Sequence, residues 1–529
     1  MSSYFSITFF FPFLALTLAA YGAFPSKTRW AVLLCASYVF AWCLSGTLIV
    51  FIAASTASVY LCGLGMARLL RRRDALLAAA ESGRRQIKAD CKHRMRRVLA
   101  LGIVFNLLVL VLLKYLGFFS GAACSLLSLV GITVSLEVPA IGVPIGISFY
   151  TLMAISYLVD VYRGAVVADR HLGRVALFLC FFPQIMEGPI CRYGQTATAL
   201  TEGKPIEAAN LYAGSLRVLF GLAKKIIVAD RLNAFVKTAF DNYGSYDGGI
   251  VALAAVLYTF QLYCDFSGTM DVAIGIGRIF NVNLPENFRQ PFFSRTASEF
   301  WKRWHITLGT WFKDYVYYPI SLSGPCKRLT SAARKKLGVR YGPLLASSVA
   351  LLCVWAGNGI WHGSGSQYLF FGLYYFVMIM AGGLVEPVAQ TACARFGINR
   401  DSVPYRALQG ARTLVIVFVG ELFFRANGLQ AGIAMFTRMA SDFTFDSLAQ
   451  GSVFSMGLDW QDCLIVGVML AIMLVIGILK ERGCNICKTI AAHGAPVRWS
   501  IWVFLLLAIV VFGAYGSGYT PVDPMYAQF

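Results

Sequence analysis

Apolar runs of nearly membrane-crossing length recur along the whole chain, and they constrain its fold more than any single motif does. Examples are residues 6–21, 98–113, 344–361 and 463–479. A helix needs about 20 apolar residues to cross the hydrocarbon core of a bilayer. Because 58% of the 529 residues are hydrophobic and 14% are charged, a water-soluble core could not hold this much apolar surface. The sequence therefore predicts an all-α polytopic membrane protein with about 11–12 transmembrane helices.

Positive charge is concentrated in the loops between the apolar runs. The formal net charge is +20, and the largest basic cluster lies in residues 68–97. Loops rich in Lys and Arg face the cytoplasm in most membrane proteins, so this cluster is expected to be a cytoplasmic, partly helical loop that sets topology. It would also attract anionic headgroups. Membrane lipid is therefore an expected partner, and nucleic acid is not, because the positive residues do not share one face.

The same rule predicts the orientation of the chain. Further stretches expected in the cytoplasm are residues 327–340, 395–412 and 480–498. Residues 241–247 and 427–459 carry few positive charges and fit the outer side, which leaves both termini external. His362 then lies toward the outer half of the membrane and His305 toward the cytoplasmic half, so a route joining the two sides is predicted. The run at residues 6–21 is expected to be a retained helix.

Cysteine spacing indicates neither a metal site nor a redox function. Most of the 14 cysteines lie inside apolar runs, where a thiol behaves as a small hydrophobic group. Cys484 and Cys487 form the one close pair in the sequence. A lone C-x-x-C without a second pair or a neighbouring histidine is weak support for metal or redox chemistry, so no metal site is predicted.

Two apolar stretches are interrupted by prolines and glycines. They lie at residues 142–150 and 181–189. Irregular backbone at membrane depth is tolerated only where it is buried in protein or lines a wet cavity. Re-entrant or broken helices are predicted at both places, with ordinary helix kinks as the alternative.

One histidine lies in a stretch that resembles an amphipathic helix. At about 3.6 residues per turn, residues 301–315 place a row of aromatic side chains on one face, with His305 among them. A helix at the membrane interface explains this pattern without catalysis. It does not explain the histidine, because a titratable ring on a buried face needs a hydrogen-bond partner, either structural or functional.

A second histidine, His362, closes the mostly apolar run at residues 351–361. Ionisable groups in such positions are rare and are functional by default. Glycines flank it on both sides and allow a substrate or another backbone to approach: Gly357, Gly359, Gly363 and Gly365. These residues favour a reactive role for His362, with a structural hydrogen bond as the alternative.

Several short motifs together resemble those of a known enzyme family. They lie at residues 144–150, 155–163, 181–184, 188–193, 221–225, 263–268, 284–288, 299–305 and 361–363. The chain is similar to membrane-bound O-acyltransferases, in particular to the bacterial branch that O-acetylates alginate. The motifs follow one another in the same order as in the family and cover roughly residues 100–430. Together they are more specific than any single match.

The resemblance implies a membrane enzyme whose helices, some of them re-entrant or interfacial, surround an interior tunnel. Transmembrane helices are expected over residues 1–97, a catalytic core over residues 98–430 and further transmembrane helices over residues 431–529, all in one integral membrane domain. The expected donor substrate is acetyl-CoA or another cytoplasmic acyl thioester, and no permanently bound cofactor is implied. The expected location is a bacterial plasma membrane. The expected partners are a polysaccharide acceptor and an extracytoplasmic acyltransferase or esterase-like protein.

The resemblance also suggests which residues act. The family's most nearly invariant histidine corresponds to His362, and its second polar position corresponds to His305. His362 is expected to be the general base toward the acceptor, and His305 is expected to orient or polarise the donor carbonyl; a transient acyl-histidine is less favoured. Two roles remain open for four further polar residues: they line the tunnel, or they form hydrogen bonds with backbone groups at the helix breaks. These residues are Gln184, Asp265, Ser267 and Asn287. Glu421 and Arg425, spaced i and i+4, are expected to form a structural ion pair.

Three functions remain open at the level of sequence. The first is O-acetyl transfer, or acetyl export, for an envelope polysaccharide. The second is D-alanyl transfer toward teichoic acid on the same fold, which the length and the alginate-type motifs disfavour. The third is a transporter or flippase without covalent chemistry, for which broken helices and intramembrane charges are equally natural. The first is preferred, and it makes the chain an acyltransferase.

Overall fold

The computed structural model describes residues 4–132 and 142–515, and every regular element within these ranges is helical. Packing divides the described chain into two compact units. The first unit holds residues 4–132, 142–215 and 273–285, and the second holds residues 216–272 and 286–515. The predicted all-α architecture is confirmed. The boundaries predicted near residues 97 and 430 follow motif coverage rather than packing, and they stay predictions.

The first unit is built from the N-terminal helices. They are the π-helical turn Phe9–Leu14, α1 (Ala15–Ala23), α2 (Ser26–Ser45), α3 (Ile49–Ala79), α4 (Arg84–Lys114), α5 (Leu116–Leu129), α6 (Ile147–Arg163), α7 (Leu172–Cys180), α8 (Phe182–Ile185) and α9 (Tyr193–Glu202). Helix α10 (Ala208–Leu222) begins in this unit and ends in the second.

The second unit contains the remaining helices. They are the π-helical segment Ala223–Ala229, α11 (Asp230–Asp241), α12 (Gly248–Ile279, whose end lies in the first unit), α13 (Ala297–Arg303), α14 (Ile306–Phe312), the π-helical segment Lys313–Tyr317, α15 (Tyr318–Ser321), α16 (Gly324–His362), α17 (Ser366–Arg395), α18 (Val403–Arg425), α19 (Leu429–Ser441), α20 (Asp446–Ala449), α21 (Trp460–Glu481), α22 (Ile486–Ala491) and α23 (Ala495–Phe512). Both histidines of interest belong to this unit.

Within the described chain, 8 helical segments are long and apolar enough to cross a membrane. They are Ser26–Ala79, Arg84–Lys114, Gly248–Ile279, Tyr341–His362, Ser366–Arg395, Val403–Arg425, Trp460–Glu481 and Ala495–Phe512. The first of these is two helices, α2 and α3, and the apolar helix Phe9–Ala23 is shorter. The number is below the predicted 11–12, partly because α2 and α3 are joined into one segment and Phe9–Ala23 is too short to be included. The multi-pass architecture is nevertheless clear.

Helices α3 and α4 form a hairpin that explains the basic cluster. Each helix has 31 residues, or about 46 Å at 1.5 Å per residue, which exceeds the roughly 30 Å of a hydrocarbon core. Their apolar parts expose large side chains such as Leu61 and Leu101, as lipid-facing helices do. The basic residues 68–97 lie mainly on the ends of the two helices, joined by residues 80–83. The predicted loop is therefore almost wholly helical.

The two interrupted stretches are helix breaks rather than kinks. Helix α7 ends at Cys180, a single turn (α8) follows, and the chain is then non-helical and buried until α9. At the other stretch, α6 starts only after Gly146, which has φ 81°. A Cβ at Gly146 would lie 1.9 Å from the carbonyl oxygen of Ile185, so only glycine allows the two breaks to meet. The irregular backbone is buried over residues 181–191, as apolar surroundings require, whereas Gly142 and Val143 at the other stretch are exposed.

Candidate active site

His362 is the last residue of α16 and is 2% exposed. The glycines around it serve helix packing. A Cβ at Gly359 would lie 2.5 Å from the carbonyl oxygen of Tyr368, and a Cβ at Gly372 would lie 2.3 Å from that of Trp355. Helices α16 and α17 therefore approach each other closely just before the histidine. Of the two uses predicted for these glycines, close approach of another backbone is the one observed at Gly359.

His305 lies at a break between two short helices, so the predicted continuous amphipathic helix over residues 301–315 is wrong. Helix α13 ends at Arg303 and α14 starts at Ile306. His305 itself has φ 46° and ψ 51°, the left-handed conformation that is uncommon for a residue with a side chain. Periodicity alone could not reveal this break, because the aromatic spacing on both sides fits a helix.

Asn287 holds the break in place. Its backbone oxygen accepts a hydrogen bond from the backbone N–H of Ile306 at 3.0 Å. Its side-chain Oδ1 accepts hydrogen bonds from the backbone N–H of Thr307 at 2.9 Å and from the Thr307 hydroxyl at 3.0 Å. The same Oδ1 lies 3.3 Å from Nδ1 of His305. Asn287, predicted as a possible tunnel residue, is therefore the residue that positions His305.

These contacts define the state of the His305 ring. Because Oδ1 of Asn287 is an acceptor, Nδ1 of His305 carries the hydrogen and Nε2 carries the lone pair. His305 is 2% exposed and packs edge-on against Phe266, with ring centroids 4.7 Å apart. Burial lowers the pKa of His305 to about 3, so the ring is neutral at physiological pH.

His305 and His362 line one cavity in the second unit. The ring of His305 packs against Trp361 at 5.7 Å, and the ring of His362 packs against Phe424 at 5.0 Å. Much of the remaining wall is aromatic: Trp301, Trp304, Trp355, Phe312 and Phe371. The two histidines, placed in opposite membrane halves by the charge rule, are thus brought to a single site. The longer tunnel implied by the family resemblance stays a prediction.

The cavity is small. Its volume is ≈ 50 Å³, counted as the space that the centre of a water molecule can occupy. A cavity that holds one water needs about 10–15 Å³ counted in this way, so this cavity can hold a group of a few non-hydrogen atoms.

Part of the cavity wall is polar, and sequence reasoning missed most of these polar residues. Trp301, Asn358 and Glu421 contribute to the wall, each from a different helix. The predicted ion pair between Glu421 and Arg425 is not formed, because the Arg425 guanidinium lies over the Phe240 ring at 5.6 Å. The rule that an ionisable residue in an apolar run is functional, applied to His362, would also have selected Glu421.

Asp265 does not line this cavity; it belongs to a buried ion-pair cluster. The π-helical segment Ala223–Ala229 places Lys225 against α12. Its Nζ lies 2.7 Å from Oδ1 of Asp230 and 2.9 Å from Oδ1 of Asp265. Charges at this depth are tolerated when they are paired, so the cluster explains why an acid stands at position 265.

Ser267 belongs to the neighbouring part of the same cluster. Lys224 donates from Nζ to Oγ of Ser267 at 2.8 Å and pairs with Oδ2 of Asp271 at 2.6 Å. Arg217 pairs with Oδ1 of Asp271 at 2.8 Å. The motifs at residues 221–225 and 263–268 therefore meet. Their partnership was not visible in the sequence, because spacing along the chain does not reveal which distant charges pair.

Gln184, the remaining predicted residue, lies in the first unit. It is buried in α8 and donates from Nε2 to the carbonyl oxygen of Phe178 at 2.7 Å. This bond satisfies backbone at the break after α7, which is one of the two roles predicted for it. Of the six predicted site residues, the structure therefore brings together His305, His362 and Asn287.

The chemistry available at the cavity is that of imidazole, indole, amide and carboxyl groups. No group of three or more His, Cys, Asp or Glu residues in residues 4–132 and 142–515 is arranged to hold a metal ion. A neutral imidazole in an apolar enclosure accepts a proton from a hydroxyl, and neighbouring N–H groups stabilise charge on a carbonyl oxygen. These are the requirements of acyl transfer.

Comparison with known proteins agrees with this chemistry. The sequence model of the membrane-bound O-acyltransferase family matches residues 147–333. A probable alginate O-acetylase of Pseudomonas aeruginosa is 32% identical over 438 residues, which is 82% of this chain and 74% of the relative. A peptidoglycan O-acetyltransferase of Helicobacter pylori is 28% identical over 367 residues, 64% of each chain. A teichoic acid D-alanyltransferase of Bacillus subtilis is 28% identical over 246 residues, 46% of this chain and 59% of the relative. The chain is therefore a multi-pass membrane acyltransferase that belongs to the membrane-bound O-acyltransferase family.

Proposed function

We propose that this acyltransferase moves an acetyl group from a cytoplasmic thioester, such as acetyl-CoA, to a hydroxyl of a cell-envelope polysaccharide. The observation that carries the proposal is the small cavity shared by two buried histidines. The alginate and peptidoglycan O-acetylating relatives support a polysaccharide acceptor. The proposed location is a bacterial plasma membrane. An extracytoplasmic acyltransferase or esterase-like protein is proposed as a partner.

His362 is proposed as the general base. It takes the proton of the attacking hydroxyl as the oxygen bonds to the acyl carbon, and the proton then leaves on the thiolate as the carbon–sulfur bond breaks. A histidine base suits this task because its neutral form is the proton acceptor at physiological pH.

The carbonyl oxygen of the donor needs a hydrogen-bond donor as its charge develops. His305 is less suited to that role than the sequence suggested, because Nδ1 donates toward Asn287 and Nε2 carries the lone pair. The indole Nε1–H of Trp301 stands in the wall of the same cavity and has no hydrogen-bond partner within the described residues. We therefore assign polarisation of the carbonyl to Trp301, and we assign orientation of the reacting groups to His305.

The proposal is tested by measuring envelope polysaccharide esters by mass spectrometry in cells with and without the protein. Loss of acetyl esters on removal of the protein, and their return on re-expression, is the expected result. Loss of D-alanyl esters instead would contradict the acetyl assignment. Unchanged esters would contradict acyl transfer to the polysaccharide and favour transport.

Acyl size should be controlled by Leu308. This side chain is buried and lines the cavity. Leu308→Ala removes three carbon atoms from the wall, so the ratio of butyryl to acetyl transfer should rise roughly tenfold or more. The rates are measured with acetyl-CoA and butyryl-CoA on protein in lipid nanodiscs.

Leu232→Ala is the matched control for this change. Leu232 is equally buried, lies on α11 in the same unit and does not line the cavity. It should lower stability by a comparable amount without changing the ratio. An unchanged ratio in Leu308→Ala would show that the cavity does not hold the acyl group.

A further inference from the structure

Two buried hydrogen-bond acceptors face the cavity without a partner. Asn358 on α16 is 8% exposed and Glu421 on α18 is 1% exposed. Asn358 Oδ1 and Glu421 Oε2 make no hydrogen bond within residues 4–132 and 142–515. Both residues line the cavity that contains His362.

Such an arrangement is costly unless a ligand completes it. A buried acceptor without a donor loses its water and gains nothing in return. For a carboxyl group inside a membrane-spanning helix the penalty is larger, and such groups mark functional sites by default. No Lys, Arg or His in the described chain forms an ion pair with Glu421. The missing partner is therefore a hydrogen-bond donor that residues 4–132 and 142–515 do not supply.

Helix geometry places Glu421 on the face of α18 that packs against His362. Phe424 follows Glu421 by three residues, which puts both on the same face of α18. The Phe424 ring packs against the His362 ring at 5.0 Å. The position of α18 is held by a close approach at Gly420, where a Cβ would lie 2.4 Å from the Tyr375 hydroxyl oxygen. The carboxyl group is thus held at the cavity wall rather than placed there by a mobile loop.

We propose that Asn358 and Glu421 bind a hydroxyl group adjacent to the one that is acylated, so that the enzyme selects acceptors with neighbouring hydroxyls. One hydroxyl of such a diol gives its proton to His362 and forms the new ester bond. The neighbouring hydroxyl donates a hydrogen bond to Oδ1 of Asn358 or Oε2 of Glu421 and stays unmodified. The thioester carbon–sulfur bond breaks, and the thiolate receives the proton from His362. The inference rests on the proposed transfer to a polysaccharide hydroxyl, and it adds the feature of the sugar that is recognised.

The test compares ethylene glycol with ethanol, which differ by the second hydroxyl. Protein in lipid nanodiscs is supplied with acetyl-CoA, and the acetylated alcohol is quantified over a range of alcohol concentrations. For the unaltered protein, the half-saturating concentration of ethylene glycol is expected to be about tenfold or more below that of ethanol, because without the second hydroxyl a buried acceptor stays unsatisfied. Glu421→Leu and Asn358→Leu should bring the two concentrations together, with half-saturation by acetyl-CoA unchanged.

Glu421→Gln keeps a side-chain oxygen and nearly the same volume, so it should retain part of the diol preference. A preference that survives Glu421→Leu would overturn the subsite, and so would an equal loss with both alcohols. A different result would overturn the proposed function rather than the diol subsite. If the unaltered protein and His362→Ala protein both fail to acetylate either alcohol from acetyl-CoA, the proposed thioester chemistry is overturned instead.

Discussion

Replacing His362 with alanine is expected to reduce acyl transfer by about 10²–10⁴-fold, the usual contribution of a general base. The side chain is buried at the end of α16 and lines the cavity, so no other base on α16 can take its place there. Its packing partners are aromatic rings, which remain when the imidazole is removed. The protein should therefore still insert into the membrane. Polysaccharide esters, measured by mass spectrometry in cells that make the variant, should fall to the level of cells without the protein.

The matched control is His493→Ala. His493 is exposed, follows α22 and lies outside the cavity. This variant should leave both ester content and membrane abundance unchanged. Normal acylation by His362→Ala protein at native abundance would refute the assignment of the general base. A loss of activity that merely follows a loss of protein would refute it as well, because a structural role would then suffice.

Replacing Lys225 with methionine is expected to destabilise the second unit by about 3–5 kcal/mol, the usual cost of removing one partner from a buried ion pair. The ammonium group neutralises two acids, Asp230 and Asp265, at distances of 2.7 and 2.9 Å. Methionine fills the space but leaves both carboxylates without their cation. The free energy of unfolding, measured with denaturant in mixed micelles, should fall by this amount.

Lys237→Met is the control for the loss of one positive charge. Lys237 pairs with Asp241 one helical turn away, and its side chain is 64% exposed. Exposed pairs of this kind contribute about 0.3–0.5 kcal/mol. If Lys225→Met is no more harmful than Lys237→Met, the buried cluster is not a stabilising element. Combining Lys225→Met with Asp265→Leu should recover part of the loss, because one of the unpaired acids is then removed.

Sequence reasoning drew on local rules, and the structure shows the helix breaks that they predicted, whereas the role of His362 stays a prediction. His362 stands out because an ionisable residue at the end of an apolar run is expensive unless it is used. The breaks at residues 142–150 and 181–189 were predictable because proline and glycine cannot continue a regular helix without cost. The same kind of reasoning failed at residues 301–315, where a helical aromatic pattern crosses a sharp break at His305.

The break at His305 depends on a residue that lies elsewhere in the chain. Asn287 accepts hydrogen bonds from Thr307, and this compensates for the hydrogen bonds that a continuous helix would make. Nothing in the 301–315 segment itself indicates that partner. The resemblance to the family drew attention to Asn287, but its role emerged only from the contacts.

The amino-acid sequence by itself determined that this protein is a multi-pass helical membrane enzyme, and it singled out His305 and His362, which the structure places at one cavity. Helix periodicity, apolar run length and the cost of a membrane-embedded charge are properties of short segments, so they can be read along the chain. Only the tertiary structure decided that Asp265 pairs with Lys225 and that Glu421 faces the histidine cavity without a cation. Those outcomes depend on which distant helices come into contact, and the energy of a buried charge depends on the partner it finds there.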